Sequence, residues 1–167
     1  ILFDLDGTLI DSAPAILASF QAAFAASGVT PVRPISNDII GPPLTETLQL
    51  LAGNTDATLI ARLSEAFKAS YDSSGYQATT AYAGVSELLH ELAGAGYSLS
   101  IATNKRLHPT RLILDFLGWQ HCFAHVYALD LFTPRLPDKA SMLQRLISDQ
   151  GIPPATAVYI GDRAEDG

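Results

Sequence analysis

The chain is short of cysteine, of positive charge and of long apolar runs. Its 167 residues contain one cysteine, Cys122, so neither an intramolecular disulfide nor a cysteine metal cluster can form. With no partner motif around it, Cys122 reads as a buried apolar residue rather than a nucleophile. Lysine and arginine number 10 against 17 aspartates and glutamates, a formal net charge of −7. That balance argues against nucleic acid or an anionic membrane as partner. It does not exclude a small anionic substrate, because a bound metal ion inverts the local field. No stretch reaches the roughly 18 consecutive apolar residues of a membrane-spanning helix, and none has the pattern of a signal peptide. A cytoplasmic protein, monomer or homodimer, is the expectation. The histidines His90, His108, His121 and His125 lack metal-ligand spacing. Ser12 lacks a Gly-x-Ser-x-Gly setting and reads as a turn or cap residue.

Apolar residues, in contrast, are plentiful: 48% of the chain is hydrophobic, enough for a sizeable core. Three apolar runs end abruptly in small polar residues: Ile1 to Phe3 before Asp4, Leu99 to Ala102 before Thr103-Asn104, and Ala157 to Ile160 before Gly161-Asp162. A weaker fourth, His125 to Leu129, precedes Asp130. Such runs read as buried parallel strands. Between them lie helical patterns at 3.6-residue spacing. Val85, Leu88, Leu89 and Leu92 stop at Gly94 or Gly96, and Leu112, Ile113, Phe116 and Leu117 stop at Gly118. Met142, Leu143, Leu146 and Ile147 stop at Gly151-Ile-Pro-Pro. Strands alternating with helices predict βαβ units, an α/β fold with a Rossmann-like parallel sheet.

Residues 14–80 break this rhythm. They carry Ala-rich helical patterns (Ile16, Leu17, Phe20, Ala23, Phe24, then Leu44, Leu48, Leu51, then Leu59, Leu63, Phe67) and no convincing strand. The predicted organisation is an α/β core of residues 1–13 and 81–167 with an inserted α-helical lobe, 14–80, expected to shield the site from water. The chain opens inside a strand without an initiator Met and closes directly after an acidic motif, so a parent longer at both ends is expected.

The chemistry-bearing residues gather at the ends of the apolar runs. Asp4 and Asp6, two positions apart, start on one face of a strand, and a turn at Gly7 leaves both at its carboxyl end, where open α/β sheets bind ligands. A strand followed by an Asx turn capped by Asp6 would give the same dipeptide. Two carboxylates so close repel unless a cation or a shared proton relieves them, and Mg²⁺ favours oxygen ligands. The second run ends in a hydroxyl and an amide, Thr103 and Asn104. Lys139 opens the third helix. Asp162 and Asp166 follow the last run. Together these groups form a kit for phosphoryl transfer. One carboxylate attacks phosphorus, and a second carboxyl group protonates the leaving oxygen and then activates water. A hydroxyl and an ammonium hold the phosphoryl oxygens, and a metal screens the attacking anion.

Asp4-Leu-Asp6-Gly7-Thr8, Ile101-Ala-Thr103-Asn104, Lys139 and Gly161-Asp162-Arg-Ala-Glu-Asp166, in this order and spacing, resemble the four motifs of the haloacid dehalogenase superfamily of phosphohydrolases. The helical insert resembles that family's cap of the first type, and Gly41-Pro42-Pro43-Leu44 resembles the cap loop of its phosphoglycolate phosphatase-like branch. The resemblance implies Asp4 as nucleophile and Asp6 as general acid and base with its backbone carbonyl on the metal. Thr103, Asn104 and Lys139 would be phosphate contacts, and Mg²⁺ would be held by Asp4, Asp6, Asp162 and Asp166. Lys139 is taken for the third motif although Ala140-Ser141 follows where many relatives have proline; Lys105 is set aside because it follows a motif already accounted for. Arg163 and Glu165 read as surface residues or a local ion pair.

The expected function is Mg²⁺-dependent hydrolysis of a small phosphorylated metabolite through an aspartyl phosphate. True dehalogenation is disfavoured because relatives that perform it lack a carboxylate at the position of Asp6. A phosphonoacetaldehyde hydrolase would need a cap lysine, which residues 39–48 do not offer. A β-phosphoglucomutase-type mutase is the alternative enzyme, disfavoured by Ile16 where such relatives usually carry histidine and by few basic cap groups (Arg33, Arg62, Lys68). A non-catalytic binding or regulatory protein of the same fold would not require Asp6.

Overall fold

The computed structural model describes residues 1–134 and 136–162. In chain order its elements are β1 (Leu2–Phe3), β2 (Ile10–Asp11), α1 (Ala13–Ser27), α2 (Leu44–Ala52), α3 (Ala57–Tyr71), β3 (Thr80–Ala81), α4 (Val85–Gly94), β4 (Ser100–Thr103), α5 (Leu107–Phe116), β5 (His125–Ala128), α6 (Lys139–Asp149) and β6 (Tyr159–Ile160). The chain divides into two units, residues 1–11 with 81–167, and residues 12–80.

The first unit is an α/β structure built on a four-stranded sheet in the order β5-β4-β1-β6. Each resolved pairing is parallel: Leu2 and Phe3 of β1 stand opposite Ser100 and Ile101 on one side and opposite Tyr159 and Ile160 on the other. β4 pairs with β5 over Ser100 to Thr103. The chain therefore steps outward from β1 to β4 to β5 and then returns to the opposite side of β1. That reversal is a topological switch point, and open α/β sheets bind their ligands beyond the carboxyl ends of the strands at such a point. β1 and β4, at the centre, are buried along their whole length, whereas the run that ends in β6 is less covered than its apolar sequence predicts, with Ile160 42% exposed at the sheet edge. Leu2 and Ala102 point to one face, where they meet Tyr127, Leu129, Met142 and Leu146. Phe3 and Ile101 point to the other, where the Phe3 and Phe123 rings meet edge to face at 6.5 Å. α6 follows the periodicity of its sequence, with Met142 and Leu146 fully buried.

Two apolar stripes are narrower than their spacing predicts. Leu88 is 44% and Phe116 48% exposed, while Leu89 and Ile113 beside them are wholly buried. A helix resting on a sheet covers the centre of its apolar arc and leaves the flank in solvent. Cys122 is buried, as expected, and so is Trp119, whose indole Nε1 donates to Ser86 Oγ at 3.1 Å.

The second unit is helical. α1 carries Pro14 in its first turn and stops at Gly28, whose φ of 63° favours glycine. α3 is started by Asp56, whose side chain accepts from Leu59 N at 2.8 Å. Ile16, Phe20 and Phe24 of α1, Leu48 and Leu51 of α2, and Leu63, Phe67 and Tyr71 of α3 share one core. The Phe20 and Phe67 rings lie 4.6 Å apart and Phe67 stacks on Tyr71 at 5.5 Å. Among the described residues, no helix is long and apolar enough to cross a membrane.

Candidate active site

Asp4 lies one residue beyond β1, and its backbone N–H donates to Ile160 O at 2.9 Å, so the switch-point strands fix the start of its side chain. The side chain is buried, with Oδ1 accepting from Leu5 N at 2.8 Å and Oδ2 accepting from Lys139 Nζ at 2.8 Å. Both members of this ion pair are under a tenth exposed. Lys139 arrives there because it is the first residue of α6, started by Asp138, whose side chain accepts from Ser141 N at 2.7 Å. Burial pushes the Asp4 carboxyl above the ordinary carboxylate range; Lys139 and the Leu5 N–H pull it back, and the neighbouring Asp6 charge adds to the rise.

Past Asp4 the chain folds back on itself. Thr8 N, Leu9 N and Ile10 N all point to Leu5 O, and Gly7 N donates to Ile10 O at 2.9 Å. Gly7 has φ of 82°, which favours glycine. It also touches Asp162: a Cβ built on Gly7 would stand 2.5 Å from Asp162 Oδ2. Thr8 Oγ1 reaches Asp162 Oδ1 at 3.3 Å. The absent side chain of Gly7 is thus the space in which the Asp162 carboxylate sits.

Thr103, the last residue of β4, is buried, and Asn104 follows it half-buried in the next loop. Thr103 Oγ1 accepts from Lys105 N at 3.2 Å. Lys105 Nζ in turn lies 3.0 and 3.1 Å from the two oxygens of Asp6. Lys105 is the residue that the sequence reading set aside. Its only sequence signal is its place two residues after the strand-ending Thr103, in a loop whose path the spacing does not give. The structure therefore brings Asp4, Asp6, Thr103, Lys139 and Asp162 to the carboxyl edge of one sheet. Asp166, Arg163 and Glu165 lie outside the described residues.

The donor set suits a hard cation. It consists of oxygens, with the Asp162 carboxylate held at the Gly7 turn and the Asp4 carboxylate at the end of β1. Among the described residues no three acidic, histidine or cysteine side chains converge as a metal cage. Mg²⁺ does not need one, since it commonly takes one or two carboxylates and keeps several waters.

A family described as haloacid dehalogenase-like hydrolase matches residues 1–167. This chain belongs to that family. Among curated relatives, the phosphoglycolate phosphatase of Xylella fastidiosa (strain Temecula1) is 34% identical over 170 residues, covering 99% of this chain and 72% of its own length. The tyrosine-protein kinase PtkA of Mycobacterium tuberculosis is 32% identical over 169 residues, covering 99% of this chain and 56% of that protein. Among solved structures, a predicted phosphatase from Clostridium acetobutylicum superposes with a TM-score of 0.84 at 27% identity, over 99% of this chain and 76% of that one. The haloacid dehalogenase-like chain is a hydrolase of phosphoric monoesters, with the α/β fold of its solved neighbours.

Proposed function

We propose that this hydrolase is a Mg²⁺-dependent phosphatase of small phosphorylated metabolites, phosphoglycolate-like in size and charge, working through an aspartyl phosphate. The observation that carries the reading is the buried Asp4–Lys139 pair at 2.8 Å, seated at the end of the central strand beside a second carboxylate, Asp6. Asp4 is the nucleophile. One of its carboxylate oxygens bonds to phosphorus as the bond from phosphorus to the ester oxygen breaks, and Asp6 gives the departing oxygen a proton. Water then adds to phosphorus as Asp6 takes a proton back; the bond from Asp4 to phosphorus breaks and inorganic phosphate leaves. Lys139 and Thr103, with Asn104, hold phosphoryl oxygens, which needs donors aimed at the developing charge. Lys139 also offsets the cost of the buried Asp4 charge. Asp4, Asp162, Asp166 and the Asp6 backbone carbonyl would hold Mg²⁺, which supplies charge neutralisation between nucleophile and phosphate.

Phosphate release from a panel of small phosphomonoesters, with Mg²⁺ and with EDTA, tests the reading beside Asp4→Asn. The expected result is metal-dependent release that the variant abolishes while its circular dichroism shows a folded chain; its one amide oxygen keeps the hydrogen bond from Leu5 N or from Lys139, not both, so its Tm should fall. Release at the wild-type rate by Asp4→Asn would overturn the assignment of the nucleophile.

A further inference from the structure

Among the described residues the site shows two lysine–aspartate pairs, Lys139 with Asp4 and Lys105 with Asp6, and the phosphate contact proposed above accounts for the first. Lys105 Nζ spans both oxygens of Asp6 at 3.0 and 3.1 Å. Its side chain is 7% exposed against 17% for Asp6. It is anchored at its other end as well, because its backbone N–H donates to the Oγ1 of the buried Thr103. A lysine gripped at backbone and ammonium has little freedom left, and a carboxylate held by both oxygens has a fixed plane. A buried ion pair adds little stability over apolar residues of the same size, so stability alone does not account for a lysine here.

We propose that Lys105 is a positioning residue for Asp6, setting the orientation in which that carboxyl group meets the leaving oxygen of the substrate. The inference rests on the reading of Asp6 as general acid given above. The ammonium touches Asp6 rather than the nucleophile, so its loss is felt where proton delivery matters. An alkyl phosphate needs its leaving oxygen protonated; p-nitrophenyl phosphate, whose leaving group is a stable anion, needs it far less. Because kcat/KM ends at the first irreversible step, it reports this difference without the later hydrolysis of the aspartyl phosphate.

The experiment measures kcat/KM with Mg²⁺ for an alkyl phosphate and for p-nitrophenyl phosphate in the wild type, Lys105→Met, Lys105→Arg, Asp6→Asn and the Asp6→Asn/Lys105→Met double variant. The expected result is that Lys105→Met loses about tenfold or more on the alkyl ester beyond its loss on the aryl ester, within the range of a general-acid contribution. Lys105→Arg should restore most of the loss, and the double variant should be no worse than Asp6→Asn. Inhibition by inorganic phosphate should be unchanged. Equal losses on both esters, additive losses in the double variant or weakened phosphate inhibition would overturn the proposal and make Lys105 a phosphate contact or a purely structural residue. Should Lys105→Met not fold, Lys105→Gln carries the same comparison. A wild type that hydrolyses neither ester would remove both the phosphatase reading and this inference. An Asp6→Asn variant without leaving-group preference would remove the general-acid role on which the inference stands. Leaving-group preference in Asp6→Asn but not in Lys105→Met would overturn the inference alone.

Discussion

Lys139 and Asp4 meet at 2.8 Å across 135 positions of sequence, with both side chains nearly excluded from solvent. Such a pair is a poor source of stability but a costly one to break, because the remaining partner is left charged and dry.

Lys139→Met should therefore destabilise the protein by about 3–5 kcal/mol at neutral pH, read as a drop in Tm of about 2–4 °C per kcal/mol for a chain of this size. The sign of the pH dependence follows from Asp4, whose carboxyl burial already pushes up. Without Lys139 it rises further, and once protonated it no longer needs a cation. The destabilisation should therefore shrink as the pH is lowered. Activity should be lost at every pH. A Tm difference that is constant with pH would show that the cost of the substitution is packing rather than charge.

Gly7→Ala should damage the site more than the fold. The left-handed backbone costs about 1–2 kcal/mol for a residue with a Cβ, a modest penalty. The Cβ, however, would stand 2.5 Å from Asp162 Oδ2, so the carboxylate must move. Asp162 is an expected metal ligand, and the concentration of Mg²⁺ giving half-maximal phosphate release should rise steeply while thermal unfolding changes by only a few degrees. An unchanged Mg²⁺ requirement would mean that Asp162 does not act through the metal.

Much of this arrangement is legible in the sequence because it lies where apolar runs stop. Asp4, Thr103 and Asp162 each follow a run by at most two residues, and strand ends are what hydrophobic patterning marks best. Lys139 is legible as the first residue of a helix whose apolar stripe, Met142 and Leu146, is regular. What patterning does not give is partnership. Nothing in the spacing distinguishes a lysine that reaches Asp4 from one that reaches Asp6, since each pair closes across about a hundred or more residues and depends on how the loop after β4 is held. The exposed flanks at Leu88 and Phe116 were illegible for a related reason: periodicity gives the direction of a helix face and says nothing of how wide a neighbour covers it.

Asp138 offers a test of the helix that carries Lys139. Its side chain accepts from Ser141 N at 2.7 Å, and this hydrogen bond holds the exposed carboxyl below its ordinary value of 3.8. A carboxyl with a lower value in the folded state contributes stability that is fully present above the unfolded value and is lost as pH falls through the folded one. Asparagine caps a helix about as well as aspartate, so Asp138→Asn removes the charge and keeps the cap. Wild type should thus be the more stable of the two near neutral pH, and the gap should close as pH falls below the unfolded value. Asp138→Ala, which removes the cap itself, should be less stable than wild type at both ends of the range and should also lose phosphate release, because the first turn of α6 sets the position of Lys139. Tm measured against pH for the three proteins decides the matter: parallel profiles for wild type and Asp138→Asn would mean that the carboxylate charge contributes nothing to this helix, leaving only its oxygen as a hydrogen-bond acceptor.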